Sequence, residues 1–308
     1  MRTVGVIGLG LIGGSMAIDL KRRGFAGRVL GVENDPVAAE AAKTIGLVDE
    51  VVSYEDCVAQ SDIVVVAVPV GTAVKMVPDI LDRFQRRAEA ISGAFARTGS
   101  RSDAEETASA LQREQIVIDV CSTKEQICNA AKYHPCRKQF VSTHPMAGTE
   151  YSGPWAAQPG LFDGRACIFA NAEESSPKAV KTIEELYACL NMRPLYMEAS
   201  QHDVHTAYVS HISHVTSFAL ALTVLDKEKD EKHIFDLASG GFSSTVRLAK
   251  SNADMWVPIL TQNRDNVLHV MDTYIGKMQA FREAVANYDE ARIRALIEEA
   301  NRIKKIIR

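Results

Sequence analysis

The chain has 308 residues, of which 46% are hydrophobic and 24% charged, and its net charge is −4. That length suits two domains with ordinary cores. The charge balance gives no reason to expect nucleic acid or an acidic membrane as a partner. The six cysteines, at 57, 121, 128, 136, 167 and 189, form no C-x-x-C pair. Such scatter points to reduced thiols in a cytoplasmic protein rather than a disulfide frame or a zinc site. No charged-then-apolar leader precedes the first strand, so a secretory signal is not expected.

Residues 4–7 read as an apolar strand that breaks into G-x-G-x-x-G at Gly8, Gly10 and Gly13. Residues 14–23 continue as a helix, and Gly24 stops it. In this pattern the first glycine makes the tight turn and the second lets a pyrophosphate approach the backbone. The third allows close helix–strand packing, and the free N–H groups of the helix start face the phosphates. A second strand, 28–32, ends at Glu33, about 20 residues past Gly13 as the fingerprint requires. A carboxylate there accepts bonds from the ribose hydroxyls of NAD and repels the extra phosphate of NADP. Asn34 and Asp35 follow it, not Arg. The expected cofactor is therefore NAD. Its candidate contacts are Gly8, Gly10, Leu11, Ile12, Gly13, Glu33 and Pro69.

Residues 63–68 form a β-branched run, ended by Pro69, that suits a strand buried on both faces. Further strands are expected at 116–120, 140–143, 166–170 and 194–198, with a helix at 178–190. Residues 85–114 are too long for a doubly wound connection. They contain the polar stretch Arg97 to Asp103 and read as a surface insertion; nothing in them favours a lid or partner loop. From Ser200 onward the pattern is helical, with Ser200 an N-cap and Asp203 near the capping-box position. The uncharged run 204–225 is long enough to span a bilayer. It is too rich in His, Ser and Thr for lipid and reads as a helix buried on most sides by protein. Later helices are expected at 231–238, 254–287 and 289–307. The fold class is α/β: a Rossmann-like, doubly wound, mostly parallel sheet over 1–199, then an all-helical domain over 200–308.

Three polar clusters lie beyond the glycine motif. Cys121-Ser122-Thr123-Lys124 and His144-Pro145-Met146-Ala147-Gly148-Thr149-Glu150 each follow a strand, where open α/β sheets bind ligands. The third comprises His211, His214, Gly240-Gly241-Phe242, Arg247 and Trp256. Several have a plain structural alternative. Ser122 could cap the next helix, with Glu125 at the capping-box position. Thr149 and Glu150 could gate a pocket or merely close a loop, and Trp256 could be core. His202, His205, His211 and His214 invite a zinc reading. At about 100° per residue the first and last pairs face opposite sides of one helix, so no metal is expected.

Together these pieces resemble the prephenate dehydrogenase family, which includes arogenate dehydrogenases. The resemblance spans nearly the whole chain outside 85–114. It implies an NAD-binding domain followed by an all-helical dimerisation domain, hence a homodimer through residues 200–308. The implied reaction is oxidative decarboxylation of prephenate to 4-hydroxyphenylpyruvate, a step of tyrosine biosynthesis. By resemblance His144 is the general base, worth roughly 10²- to 10⁴-fold in rate. Ser122 would bond the substrate hydroxyl or His144 and keep the imidazole in the right tautomer. His214 and Arg247 would take the substrate's carboxylates, with Thr149, Glu150 and Trp256 beside them. As a simple imidazole, His144 should give a rate that rises with pH near the reference value of about 6.5.

The chain departs from many relatives at Ser243, Ser244 and Val246, where they carry a charged residue, Asp and Thr, and at Gly71, often Arg. Three other readings remain open. Arogenate could replace prephenate as substrate. A β-hydroxyacid dehydrogenase or imine reductase shares the plan but leans on a Lys or Asp in its helical domain, where this chain has histidines and hydroxyls. A non-catalytic NAD sensor would not need His144, Ser122 and Arg247 together.

Overall fold

The structure, a computed structural model, describes residues 2–98, 114–229 and 233–306. Its first part alternates strand and helix: β1 (Arg2–Ile7), α1 (Leu11–Arg22), β2 (Ala26–Val32), α2 (Pro36–Thr44), β3 (Glu50–Val51), α3 (Tyr54–Gln60), β4 (Ile63–Val66) and α4 (Val70–Thr98). There follow β5 (Ile116–Asp119), α5 (Glu125–Ala131), β6 (Phe140–Pro145), β7 (Ala166–Ala170), α6 (Pro177–Cys189) and β8 (Arg193–Met197). The eight strands form one sheet in the order β3-β2-β1-β4-β5-β6-β7-β8. All pairings are parallel except β6 with β7. The first six strands thus have the doubly wound order, which reverses between β1 and β4.

The β-branched runs explain the layering. Val65 and Ile118 enter the core on one face of the sheet, while Val64, Val66 and Val117 enter the core on the other. Strands buried on both faces need apolar residues at every position, which is why these runs lack polar alternation. Short elements between the strands, β3, α2 and α3, escaped the sequence pattern because so few of their residues are buried.

Helix α4 runs from Val70 into the expected insertion as far as Thr98. Val70, Ala73, Val77, Ile80, Leu81 and Phe84 form its buried stripe; beyond Phe84 its side chains face solvent through residue 90, apart from partly covered Gln85 and Arg87. The first part of the proposed insertion is therefore helical, and most of the Arg97 to Asp103 stretch lies outside the described residues.

After β8 the chain is helical: α7 (Ala199–Thr206), a π-helical turn (Ala207–His211), α8 (Ile212–Glu228), α9 (Gly240–Thr245), α10 (Ala253–Gln262), α11 (Arg264–Ala286) and α12 (Glu290–Ala300). Three expectations need correction. The helix over 254–287 breaks at Asn263, whose side-chain amide bonds His211 and the Asp203 carbonyl. Ser200 is not the N-cap of α7; Glu198 holds that position, and Asp203 caps a different helix, described below. Nor is the run 204–225 buried on most sides. Ser217 is the one buried residue of α8, and Leu222 is 61% exposed. By length and hydropathy the continuous segment Ala199–Glu228 could cross a membrane. Its polar His202, Asp203, Thr206 and His211 are instead buried against protein.

Candidate active site

The carboxyl ends of β1, β2, β4, β5 and β6 converge on one edge of the sheet. At β1, Gly8 has φ +92° and donates to Val32 O at 2.9 Å. A Cβ there would lie 2.5 Å from Ala67 O, and one at Gly13 would lie 2.0 Å from Gly8 O. Both glycines are required by the protein's own packing. Gly10 differs: a Cβ there meets nothing within 4 Å, so the open side of the loop faces away from the protein.

Gly10 starts α1 without a side-chain cap, and no acid lies in the first turn with Leu11 and Ile12. These N–H groups and the positive end of the helix dipole suit a pyrophosphate. Glu33, just past β2, accepts from the N–H groups of Leu9 at 3.0 Å and Asn34 at 2.9 Å. Its carboxylate ties the glycine loop to β2 and keeps lone pairs for a ribose. Pro69 is exposed after β4, and its carbonyl accepts from Thr72 and Ala73 at the start of α4. These residues fit a dinucleotide.

Beneath the site lies a polar core. Lys124 is fully buried, ion-paired with Asp119, and donates to Thr143 O at 2.7 Å. Burial alone would lower its pKa, but the Asp119 charge raises it, so the ammonium persists. Ser142 donates to the other Asp119 oxygen at 2.8 Å, and Thr143 donates to the Asp119 carbonyl at 2.6 Å. This clamp holds β6 against β5, and with it the position of His144. A buried charge pair with every partner satisfied is costly to break.

His144 lies at the end of β6. Its Nδ1 is 2.8 Å from His202 Nε2, and His202 Nδ1 is 2.7 Å from Asp203 Oδ1. Burial, then the charges of His202, Lys124 and His211, hold His144 well below the usual imidazole range. His144 is therefore neutral at physiological pH, and the expected titration near 6.5 moves to more acid values. Burial also pushes His202 down to about 2. His211 falls to about 4, with burial only partly offset by Asp203.

Ser122 is half-buried after β5, and its side chain makes no hydrogen bond among the described residues. It makes no hydrogen bond to the N-terminus of α5 or to His144. Asp203 caps α5 in its place, accepting from Lys124 N at 2.7 Å and Glu125 N at 2.9 Å.

The third cluster gathers on the helical half. His214 stacks on Trp256 with ring centroids 3.6 Å apart, and its Nδ1 donates to Ser210 O at 3.1 Å. Burial and then the Arg247 charge lower its pKa. Arg247 is half exposed and donates to Glu150 at 2.9 Å. Glu150, bonded by its own backbone N–H and by Arg247, stays below the usual carboxylate range. Thr149 Oγ1 accepts from Tyr151 N at 3.2 Å, which closes the loop. Trp256 is buried in the core beside His211, its Nε1 without a partner. Among the described residues, no group of three or more His, Cys, Asp or Glu could hold a metal.

Asn263 joins the two ends of the site. It bonds the Asp203 carbonyl and His211, and His211 meets the edge of Trp256, which carries His214. A continuous wall thus runs from His144 toward Arg247. The sequence reading missed His202, Asp203 and Asn263 as members of this wall. His202 stood out only as one of four histidines, and nothing local signals a partner 58 positions away.

Two domain models cover most of the chain. The nucleotide-binding domain of prephenate dehydrogenase matches residues 16–88 and 100–195, and the dimerization domain of prephenate dehydrogenase matches residues 198–299. A prephenate dehydrogenase of Bacillus subtilis is 28% identical over 289 residues, covering 93% of this chain and 71% of that protein. A cyclohexadienyl dehydrogenase of Zymomonas mobilis is 27% identical over 288 residues, covering 93% and 89%. A crystal structure of prephenate dehydrogenase from A. aeolicus, in complex with hydroxyphenyl propionate and NAD+, superposes with a TM-score of 0.80 at 25% identity. It covers 100% of this chain and 99% of that one.

Proposed function

The chain belongs to the prephenate dehydrogenase family, and we propose that it converts prephenate to 4-hydroxyphenylpyruvate with NAD as oxidant. Residues 1–199 would bind the dinucleotide, and 200–308 would complete the substrate cleft and form a homodimer. The bound nicotinamide supplies one thing, acceptance of the hydride from C4 of the substrate ring. His144 accepts the C4 hydroxyl proton. As the bond from C1 to the ring carboxylate breaks, CO₂ leaves and the ring becomes aromatic. The proton held by His144 then returns to the phenolate oxygen, so no net proton is released. Aromatisation drives the reaction, and the protein's task is to orient and to hold that proton.

The observation that carries this reading is a neutral imidazole at the carboxyl end of β6, linked through His202, Asp203, Asn263, His211 and Trp256 to His214, which feels the Arg247 charge. Arg247 and His214 suit a substrate with two carboxylates, and Ser122 has a free hydroxyl for the substrate's own. Glu33 supports NAD over NADP, since its carboxylate lies where an added phosphate would be repelled.

Arogenate is the second reading. It carries an ammonium on the side chain, and Glu150 offers a carboxylate beside Arg247. The cyclohexadienyl dehydrogenase relative favours the same breadth. The test is NADH absorbance with each substrate and each nicotinamide cofactor. Turnover of prephenate with NAD is expected; turnover of arogenate alone replaces the substrate, and silence with both removes the reading.

A further inference from the structure

We propose that Asp203 and His202 act as a positioning pair that fixes the tautomer of His144, leaving its Nε2 as the proton acceptor. The inference rests on the reading of His144 as the base. Its starting point is the Asp203 carboxylate, which accepts from two backbone groups that can only donate, Lys124 N and Glu125 N. These lie at the N-terminus of α5, where a negative charge is favoured. Burial pushes the Asp203 pKa up, but the two backbone N–H groups and the Lys124 charge favour the ionised form. As a carboxylate it can only accept, so the 2.7 Å contact to His202 Nδ1 places a proton on that nitrogen.

A neutral His202 protonated at Nδ1 has a lone pair at Nε2. The 2.8 Å contact then requires His144 to donate from Nδ1. His144 keeps its only lone pair at Nε2, the nitrogen not engaged with His202. The alternative, a cationic His202 donating from both nitrogens, would force the opposite tautomer on His144. That state buries a charge away from water and puts a second positive charge near the Lys124 ammonium. Of the charged and titratable groups around His202, namely Asp203, His205, His211, His144 and Lys124 with its Asp119, only the two carboxylates favour a cation. Asp119 is already committed to Lys124. Asn263 anchors the Asp203 carbonyl and accordingly the whole turn.

The arrangement also serves the charged step. Once His144 has taken the substrate proton, its positive charge is met through His202 by the buried Asp203 carboxylate. The sequence-based expectation gave the tautomer-fixing role to Ser122; the geometry assigns it to residues on α7.

The first test reads the unaltered protein. In ¹⁵N-histidine-labelled enzyme at neutral pH, long-range ¹H–¹⁵N correlations should show His144 and His202 each protonated at Nδ1. His144 is assigned by its loss in His144→Asn. A proton on His144 Nε2 overturns the proposal whatever the enzyme turns over, so this result is independent of the substrate reading.

The second test compares His202→Gln, whose amide oxygen can still accept from His144 Nδ1, with His202→Leu, which cannot. His202→Leu should lose roughly 10- to 100-fold in kcat, part of the 10²- to 10⁴-fold expected of a positioned base. Its KM should change by less than about twofold, and its apparent kinetic pKa should shift. His202→Gln should recover most of the rate. Equal losses in both variants, or none in either, overturn the pair's role. The labelled wild type decides the matter even where His202→Leu does not fold.

Discussion

The two halves of this chain treat their apolar side chains in opposite ways. In the sheet half, Val65, Ile118, Phe140 and Phe169 are fully buried by the chain itself. In the helical half, Leu222, Val257, Ile275 and Met278 remain about half exposed or more. Isolated exposed apolar residues are ordinary, but a whole set on α8, α10 and α11 marks a surface awaiting a partner. One half covers its apolar side chains within the chain; the other, which matches a dimerization domain, leaves apolar surface of the kind a second copy would cover. The candidate active site lies on the seam, with His144 on the first half and His202 and Asp203 on the second.

The largest expected effect tests that seam. His144→Asn should lower kcat by at least about a hundredfold with little change in KM. Melting temperature should stay near wild type, since His144 lies at a strand end outside both apolar clusters. Near-normal turnover removes His144 from the mechanism.

The next two separate the halves. Ile118→Ala empties a fully buried site in β5 and should cost about 2–5 kcal/mol. Denaturant unfolding should report that loss at every protein concentration. Leu222→Glu should instead raise the dimer dissociation constant at least tenfold, on the scale of about 1.5–3 kcal/mol for a Leu that becomes buried. Light scattering at micromolar concentration should then shift toward monomer, and the melting temperature should lose the concentration dependence expected of a dimer. A wild type that is itself monomeric there contradicts the comparison.

The smallest effect is the acid response. His202 and His211 have folded-state values of about 2 and about 4, below the unfolded reference near 6.5. The unfolded chain therefore binds protons that the folded chain refuses. Each contributes stability that is complete above about pH 6.5 and lost as pH falls toward its folded value. By linkage this is about 2 kcal/mol per histidine at pH 5. Stability measured from pH 7 to 5 should fall accordingly. His144 is depressed in the same direction, so kcat/KM should stay level from pH 8 to 6.5. A half-maximal rate at pH 6.5 contradicts the buried, neutral imidazole.

The sequence and the structure part company at identifiable places. The glycine run was legible because its spacing is contiguous in the chain: Gly8 has a positive φ and Gly13 abuts Gly8 O five residues back, while the contact of Gly8 with Ala67 O appears only once β4 pairs with β1. The strands were legible because a doubly covered sheet needs unbroken apolar runs. The helix 254–287 was read through its break, because Asn263 is an unremarkable residue until His211 and the Asp203 carbonyl lie beside it. Ser122, given by resemblance a bond to the substrate hydroxyl or to His144, makes no hydrogen bond to His144, which meets His202 instead.

By itself, then, the order of residues determined the doubly wound sheet, the dinucleotide loop, the membership of one enzyme family and the candidates His144, His214 and Arg247. Each depends on short-range pattern: periodicity, turn chemistry, or a motif contiguous in the chain. Only the tertiary structure decided that His202 and Asp203 stand behind His144, that Asp203 rather than Ser122 caps α5, and that the uncharged helix lies largely uncovered. Those outcomes depend on which distant groups meet once burial removes water, and hydrogen-bond geometry and electrostatics become selective only at that point.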